Sequence, residues 1–593
     1  MKVVIPFVGE LEGPDARTAS LAEFLGIPCQ TLSLPAETDV KSLSRTVPDP
    51  ASCLVVNPRV MAKWLGSEAM PASVISWLLS HFQYLIVHAV RADNAFDNAL
   101  VAALSGNRLL SARVIQGTSQ LYQVAANAED VCEAFSSLSF GPANPANDRV
   151  FPTADDSNVR TLISIGANPF MATVKTGGAE VVFLGSADVA DTTTEVGEAP
   201  LAEYFSRFVP QAMALRFVAG DCCWRPRQAY ACIIIDDPLL RMNYGFLNFE
   251  SLLRLADQHN FHAAIAFIPH NFRRNSQRII RMFRENAARL SICFHGNDHT
   301  DAEFASSSPS FLNLSLLVAE DRMALHEKAT GLTCDKVMVF PQGNFSVEAM
   351  RVLQAHNFCG AVNTTPHPVG QPVQLTIGEL AQPAVLRYGG FPLFLRKPAR
   401  QLESQDIAFN LFFGRPVLIV EHHDTFQHPE ILTEAVDRIN ALAPEIRWSN
   451  LATALSHSVL MRSAVDGTQQ VRAYSSAVRI SNDSSSVRRY SIEWNDCSDG
   501  ALIEQVLVSG QPSSSFETSD QGLRILVEIE PVSSQELSLV HRNPYPAVTT
   551  LGLRWKAQAF LRRRLSEFRD NYLSKNQNLL KSAKALQRRF LKI

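Results

Sequence analysis

The sequence predicts an α/β protein, and the order of its apolar segments supports that prediction. Residues 226–457 alternate strand-like apolar segments with helical patterns, as a (β/α) barrel or a doubly wound sheet does. Residues 1–150 repeat this alternation, which indicates an N-terminal parallel α/β domain. Residues 463–545 show the strand pattern of a small antiparallel β-sandwich. The 593 residues are 46% hydrophobic and 19% charged, so the chain can bury several cores.

The N-terminal part contains three apolar runs that we expect to be buried strands, at 2–8, 53–57 and 84–90. No Gly-rich phosphate loop follows the first of them, so nucleotide binding has no support. Residues 151–225 add further strand-like runs, and we interpret them as a strand-containing extension or connector. The connector either completes the first domain or is appended to it.

Charge and composition exclude several classes of protein. The net charge of -4 argues against wholesale binding of nucleic acid. No apolar run reaches the roughly 20 residues that span a bilayer. The first fifteen residues lack the long apolar stretch and the cleavage site of a signal peptide. The ten cysteines follow no regular spacing and are expected to be reduced thiols. These features predict a cytoplasmic protein.

Polar residues cluster at the predicted strand ends of residues 226–457. Eleven of the fifteen histidines lie between His259 and His428. Asp236 and Asp237 end the apolar run "YACIII". In parallel α/β folds the carboxyl ends of the strands are where ligands bind. The alternative is a region that is simply rich in histidine.

One aspartate and two histidines form a plausible catalytic site for Zn²⁺ or a similar ion, with positions open for water and substrate. Asp237, His295 and His299 are the candidate ligands. The spacing of His295 and His299 is weak evidence by itself, and it is not the zincin motif, because Gly296 stands where the catalytic glutamate would be. Ordinary polar residues at strand ends remain the alternative.

The order of the segments is more specific, because it resembles the polysaccharide deacetylase domain (NodB-like, carbohydrate esterase family 4). The family's Thr-Phe-Asp-Asp-Gly motif corresponds to residues 234–238, and its His-(Ser/Thr)-x-x-His motif to 295–299. Its Arg-x-Pro-x-Gly motif corresponds to 339–343, and its last strand, which closes on histidine, to 417–424. The resemblance covers roughly 230 of the 593 residues.

This resemblance implies a distorted (β/α) barrel, a divalent metal and removal of an acyl group from an N-acetylated sugar. We expect the metal to be Zn²⁺, with Co²⁺ or Ni²⁺ as alternatives. Asp237, His295 and His299 would be the metal ligands and Asp236 the general base. The general acid would be His422 or His423, and the spacing within the family favours His422.

The motifs also depart from the family pattern. Pro238 replaces a glycine, and Gly296 replaces a serine or threonine. Val339 stands where the family has the arginine that orients the base, and the sequence shows no evident replacement.

Two other functions are open at this point. A glycosidase on a related barrel would need a second carboxylate facing Asp236, and Glu421 is the nearby candidate. A catalytically inactive carbohydrate-binding protein would keep the barrel without the reaction.

Residues 546–593 are expected to include a basic amphipathic helix. The segment 551–593 carries twelve Lys or Arg against Glu567 and Asp570, a balance of +10. Apolar residues recur with heptad-like steps at Leu561, Leu565, Phe568, Tyr572, Leu579, Ala583, Leu586 and Phe590. The helix could dock on the protein itself, pair with another helix, or lie on an anionic membrane surface, which would be the inner face of the membrane.

Overall fold

A computed structural model describes residues 2–11, 13–35, 53–66, 71–117, 119–154, 158–196, 201–300, 302–370, 374–495, 502–519, 522–545, 553–573 and 575. These residues form two compact units. The first unit comprises 1–225 with the short segments 374–381 and 462–464, and the second comprises 226–373, 382–461 and 465–593.

The first unit contains a nine-stranded sheet. Across the sheet the strands are Cys29–Ser33, Val3–Phe7, Cys53–Val56, Tyr84–Val87, Ala179–Leu184, Asn168–Thr176, Arg160–Ile165, Tyr122–Val124 and Ser139–Phe140. The first five are parallel and the others pair antiparallel. The links at 166–167 and 177–178 are too short for a crossover, so the strands they join reverse direction. The strands of 151–225 thus share one sheet with those of 1–150.

Helices pack with this sheet around a core that includes Trp64 and Phe183. The main helices of the unit are Gly13–Phe24, Pro58–Leu65, Ala72–His81, Ala95–Leu104 and Phe205–Ala219. The second helix shows why they form where they do. The Asn57 side chain accepts a hydrogen bond from the Arg59 N–H, Pro58 opens the first turn, and Gly66 ends the helix in a left-handed conformation.

The second unit is built on a parallel sheet that nearly closes into a barrel. Across the sheet its strands are Leu393–Leu395, Gly360–Asn363, Asp335–Val339, Leu290–His295, Ala263–Phe267, Tyr230–Asp236, Val417–Glu421 and Lys397–Pro398. Arg447–Trp448 also pairs with Tyr230–Asp236. The two edge strands are consecutive along the chain, with only Arg396 between them. The predicted distorted (β/α) barrel is therefore confirmed.

Helices connect the barrel strands, as parallel pairing requires. They are Phe249–Gln258, Gln277–Glu285, Pro309–Thr330, Val347–Ala355, Ser404–Phe413 and Glu430–Leu442, and a further helix, Leu451–Ser456, follows the last strand. Local sequence sets several of their ends. The Asn248, Ser308 and Ser346 side chains cap three helix starts, while Gly331 and Gly414 end two helices in left-handed conformations.

A β-sandwich follows the barrel in the second unit. One sheet includes Gln469–Ala473, Arg488–Asn495, Gly522–Ile529 and Phe516–Ser519, and the other contains Ala477–Asn482, Ser533–His541, Ile503–Val508 and Gln511–Ser513. Most neighbouring pairs are antiparallel, as predicted. Gln469–Ala473 and Arg488–Asn495 are parallel, because the strand between them along the chain lies in the other sheet.

The C-terminal helix covers Leu553–Phe568 and continues as a π-helical turn, Arg569–Leu573. Leu579, Ala583, Leu586 and Phe590 of the predicted stripe lie outside the described residues. Among the helices that the structure describes, none combines the length and the apolar character needed to cross a bilayer.

Candidate metal centre

The three predicted metal ligands meet at the carboxyl ends of the barrel strands. One ligand atom each from Asp237, His295 and His299 can be chosen so that all lie within 4.8 Å of one another. Asp237 Oδ1 is 3.6 Å from His295 Nε2 and 3.2 Å from His299 Nε2. His295 ends its strand, and Asp237 follows the last residue of the strand Tyr230–Asp236. The three residues that the strand-end pattern selected are therefore neighbours in the structure.

Two of these ligands have unusual backbone conformations. Asp237 has φ +84° and His299 has φ +54°, a region that residues other than glycine rarely adopt. Such strain persists only where surrounding contacts enforce it, and it is concentrated at functional sites. These backbone conformations direct the side chains of Asp237 and His299 toward the same point.

The protonation preferences of His299 and Asp237 suit a cation, whereas those of His295 do not: burial lowers the pKa of His295, but Asp236 and Asp237 raise it above its ordinary value. The His295 Nδ1–H can donate to the Val339 carbonyl at 3.0 Å, which leaves Nε2 available as a ligand. Burial lowers the pKa of His299 to about 4, against the opposing effect of Asp237, so this imidazole is neutral at pH 7. Burial alone would raise the pKa of Asp237, but His299, His295 and Arg563 hold it well below its ordinary value.

Asp237 Oδ1 gives a direct test of whether a metal fits. This oxygen is buried and makes no hydrogen bond of ordinary geometry within the described residues. Leaving a buried carboxylate oxygen without such a bond is costly unless a cation compensates it. One carboxylate and two imidazoles are the donor set of an open catalytic Zn²⁺ site, so the residues present fit a divalent ion.

The predicted base, Asp236, is held by an arginine that the sequence did not suggest. Arg396 Nη1 and Nη2 each donate to one Asp236 oxygen at 2.7 Å, and both side chains are buried. Burial raises the pKa of Asp236, but Arg396, His295 and His422 together lower it below its usual value. Arg396 lies between the two edge strands of the barrel sheet, directly after the strand Leu393–Leu395. Its only sequence signal was that it ends the apolar run "PLFL".

The two candidate acids have different surroundings. His422 Nε2 lies 4.0 Å from Asp236 Oδ2, and its side chain is 55% exposed. The His423 ring instead contacts Tyr244 and Phe246, with Nε2 3.7 Å from Asp570 Oδ1. Consecutive residues of an extended chain point to opposite sides. The structure therefore brings His422 to Asp236 and does not bring His423 there.

Glu421 does not face Asp236. It pairs in register with Ile235, so its side chain lies on the opposite side of the sheet from the next residue, Asp236. It is buried and accepts hydrogen bonds from the Ala399 N–H, at 2.8 Å, and from the Thr425 hydroxyl. The second carboxylate that a glycosidase would need is not supplied by this residue.

A buried glutamate, Glu303, anchors the loop that carries His299. Its carboxylate accepts from the N–H groups of Asn297, Asp298 and His299 at 2.9, 3.1 and 3.2 Å. Burial raises the pKa of Glu303 to about 7. Gly296 has φ +62°, and a Cβ there would overlap Glu303 Oε1 and Pro341 Cγ. A serine or threonine, as in the family's motif, would fit here only if Glu303 and Pro341 moved.

Asp298, inside the same loop, is also fully engaged. It accepts from His270 Nδ1 at 2.9 Å, from Arg322 Nη1 at 2.6 Å and from Trp555 Nε1 at 2.8 Å. Burial opposes ionisation, but His270 and Arg322 lower the pKa of Asp298 to about 2. The loop between the two histidine ligands is therefore held from several elements.

The C-terminal helix reaches the site, which the sequence did not indicate. Arg563 is 3% exposed, donates from Nη2 to the Asp237 carbonyl at 3.2 Å, and has Nη1 3.9 Å from Asp237 Oδ1. Tyr244 donates to Asp570 at 2.8 Å, and Arg274 pairs with Glu567. The polar side of this helix forms one wall of the candidate metal centre.

No protein-family model and no curated protein matches the sequence. Solved structures do match. The carbohydrate deacetylase Agd3 covers 91% of this chain and 98% of its own, with 10% identity and a TM-score of 0.50. A family 4 carbohydrate esterase from Streptomyces lividans covers 38% of this chain and 94% of its own, with 12% identity and a TM-score of 0.23. The peptidoglycan N-acetylglucosamine deacetylase Bc1960 covers 38% and 89%, with 15% identity and a TM-score of 0.24.

The likeness to Agd3 extends over nearly the whole of both chains. It confirms, at the level of the fold, the resemblance to carbohydrate deacetylases that the motifs indicated. An identity of 10% establishes the fold alone.

Proposed function

We propose that this protein is a metal-dependent hydrolase that removes an acyl group, first of all an N-acetyl group, from a carbohydrate or a polysaccharide precursor. The observation that carries the proposal is the meeting of three ligand side chains, the Asp236–Arg396 pair and His422 at one barrel mouth. Asp237, His295 and His299 would hold Zn²⁺, with Co²⁺ and Ni²⁺ as alternatives. A bound divalent ion would polarise the acyl carbonyl and make a nearby water more acidic.

The side chains divide the proton transfers between them. Asp236 is the general base, because its lowered pKa keeps the carboxylate ionised and Arg396 fixes its orientation. His422 is the general acid that protonates the departing amine of the sugar. Its exposure allows the ring to exchange protons with water between turnovers.

The fold supports the substrate class, because Agd3, which matches over nearly its full length, is a carbohydrate deacetylase. The glycosidase alternative loses support with Glu421, which faces away from Asp236. An inactive carbohydrate-binding protein would have no need of a strained ligand cluster and a paired base.

The test is metal analysis combined with acetate release from N-acetylated oligosaccharides. The purified protein should bind Zn²⁺, Co²⁺ or Ni²⁺, and Asp237→Asn should abolish that binding. Asp236→Asn should keep the metal yet lose roughly a hundredfold or more in acetate release, the usual contribution of a general base. The matched control is Asp437→Asn, whose carboxylate lies at the surface beside His259.

Two results would contradict the proposal. The first is failure of the purified protein to bind any of the three ions, which would favour a catalytically inactive carbohydrate-binding protein. The second is undiminished acetate release by Asp236→Asn.

A further inference from the structure

The C-terminal helix packs on the barrel with the face opposite to the one that the sequence marks as apolar. Its contacts with the barrel include hydrogen bonds and ion pairs from Trp555, Arg563, Glu567 and Asp570, and the Trp555 ring also packs edge-on against Phe311. An amphipathic helix that docks on its own protein normally buries its apolar face. Within the described residues, the apolar face of this helix therefore lacks the contact with the barrel that would explain it.

That apolar face is a row of large apolar side chains in solvent. Leu561, Leu565, Phe568 and Tyr572 are 60, 60, 52 and 68% exposed. Steps of four, three and four residues from Leu561 to Tyr572 align them on one side, away from buried Arg563. Contiguous exposed apolar residues mark an interaction surface, unlike the scattered ones found on any protein.

The charge around this row identifies what it fits. Arg564, Arg569 and Lys575 are exposed beside it. The chain continues with Lys581, Lys584, Arg588, Arg589 and Lys592, none of them offset by an acidic residue after Asp570. Apolar residues on one face with flanking cations are the pattern of helices that lie in the interface of an anionic bilayer. A second copy of this helix would meet the first with like charges.

We propose that the outer face of the C-terminal helix, Leu561, Leu565, Phe568 and Tyr572, docks the protein on an anionic lipid bilayer. The same helix places Arg563 beside Asp237. Docking therefore holds the candidate metal centre about one helix diameter, roughly 10 Å, from the lipid surface. The site is then placed to act on a saccharide carried at that surface, which rests on the proposed function, whereas the docking itself does not.

The experiment is co-sedimentation of the full chain with vesicles of phosphatidylcholine alone or with phosphatidylglycerol at 30 mol%, a proportion that we choose. The protein should bind the mixed vesicles, and more weakly at high salt. The double variant Leu561→Glu/Leu565→Glu should bind about tenfold less or worse, because it removes apolar side chains and adds charges repelled by the surface. Leu526→Glu, which changes a 56% exposed leucine of the β-sandwich, is the matched control and should bind like the unchanged protein.

Three outcomes would overturn the proposal. They are no binding to the anionic vesicles, equal binding by the double variant, and a dimer that the double variant dissociates without any vesicle binding. Thermal unfolding is the check on folding, because Leu561 and Leu565 are exposed and their replacement should leave the Tm nearly unchanged. Vesicle binding needs no catalysis, so failure of the deacetylase assay leaves this result readable.

Discussion

In the proposed mechanism, the guanidinium of Arg396 would take the role that the family's third motif assigns to an arginine, from a different place in the chain. It lies 160 residues from Asp236 in sequence and contacts both of its carboxylate oxygens. A planar two-point contact fixes the orientation of a carboxylate as a single ammonium cannot. If Asp236 is the base, its orientation is set by a residue that lies between the two edge strands of the barrel.

We therefore expect Arg396→Lys to lower kcat by about 10–100-fold, the usual cost of losing a partner that orients an active group. The lysine keeps the charge and loses the two-point contact, so metal content should not change. Arg396→Ala should also destabilise the protein by about 3–5 kcal/mol, because Asp236 would be left buried and unpaired. Steady-state kinetics and thermal unfolding test this, with the exposed Arg400→Lys as control. A wild-type kcat in Arg396→Lys would refute the role.

The neighbours His422 and His423 should differ in their effect on catalysis. His422→Asn should lower kcat by about 10²–10⁴-fold, as loss of a general acid does. The loss should shrink with a substrate whose leaving group needs no proton. His423→Asn should cost less, because that ring contacts Tyr244 and Phe246 and not Asp236. A larger loss in His423→Asn would reverse the assignment.

At the scale of elements, the loop from Gly296 to Thr300 is held in place by its contacts and not by its own backbone preference. Glu303 accepts three of its N–H groups, and Arg322 and Trp555 hold Asp298. The loop delivers His299 with φ +54°. A ligand in that conformation depends on every one of these contacts.

Gly296→Ser is the direct test of this packing. It restores the family's hydroxyl, yet we expect it to weaken metal binding by about tenfold or more and to lower stability by about 1–3 kcal/mol, the range for overpacking. The cause is the overlap of its Cβ with Glu303 and Pro341. Gly467→Ser is the control, since Gly467 has φ +84° with open space around it and reports the cost of the backbone alone. Equal effects of the two variants, measured by metal titration and unfolding, would contradict the explanation.

At the scale of the whole molecule, burial of ionisable groups couples stability to pH. Asp335 begins a barrel strand, and its Oδ2 accepts from the N–H of Leu451 at 3.1 Å. Burial raises the pKa of Asp335 to about 7. An unfolded aspartate has a pKa of about 4. Between these values the unfolded chain releases a proton that the folded protein keeps, so the free energy of unfolding falls as pH rises.

Asp335→Asn should remove this pH dependence, because an amide can still accept from Leu451 and carries no charge. From pH 5 to pH 8, values that we choose, the Tm of the variant should therefore rise relative to wild type. The difference corresponds to at most about 3 kcal/mol, because about two pKa units of the shift lie inside this window at 1.36 kcal/mol per unit. Thermal melts at several pH values measure it, and the comparison cancels the titration of other groups. A constant difference in Tm would show that Asp335 does not titrate in this range.

The sequence by itself predicted the alternation of strands and helices and the cluster of candidate ligands, and the resemblance of its motifs favoured a barrel over a doubly wound sheet. The alternation and the cluster both depend on local patterns: apolar runs form the strands, and the residues that end parallel strands share one edge of the sheet. Asp236, Asp237, His295 and His299 were found for this reason.

Tertiary structure alone decided the rest, because those features depend on contacts between distant segments. Barrel closure brings Arg396 to Asp236, and strand register turns Glu421 away while His422 faces the site. The heptad-like stripe located the C-terminal helix but could not show which face packs on the barrel. Hydrogen bonds and ion pairs hold its polar face there, and its apolar face is left in solvent.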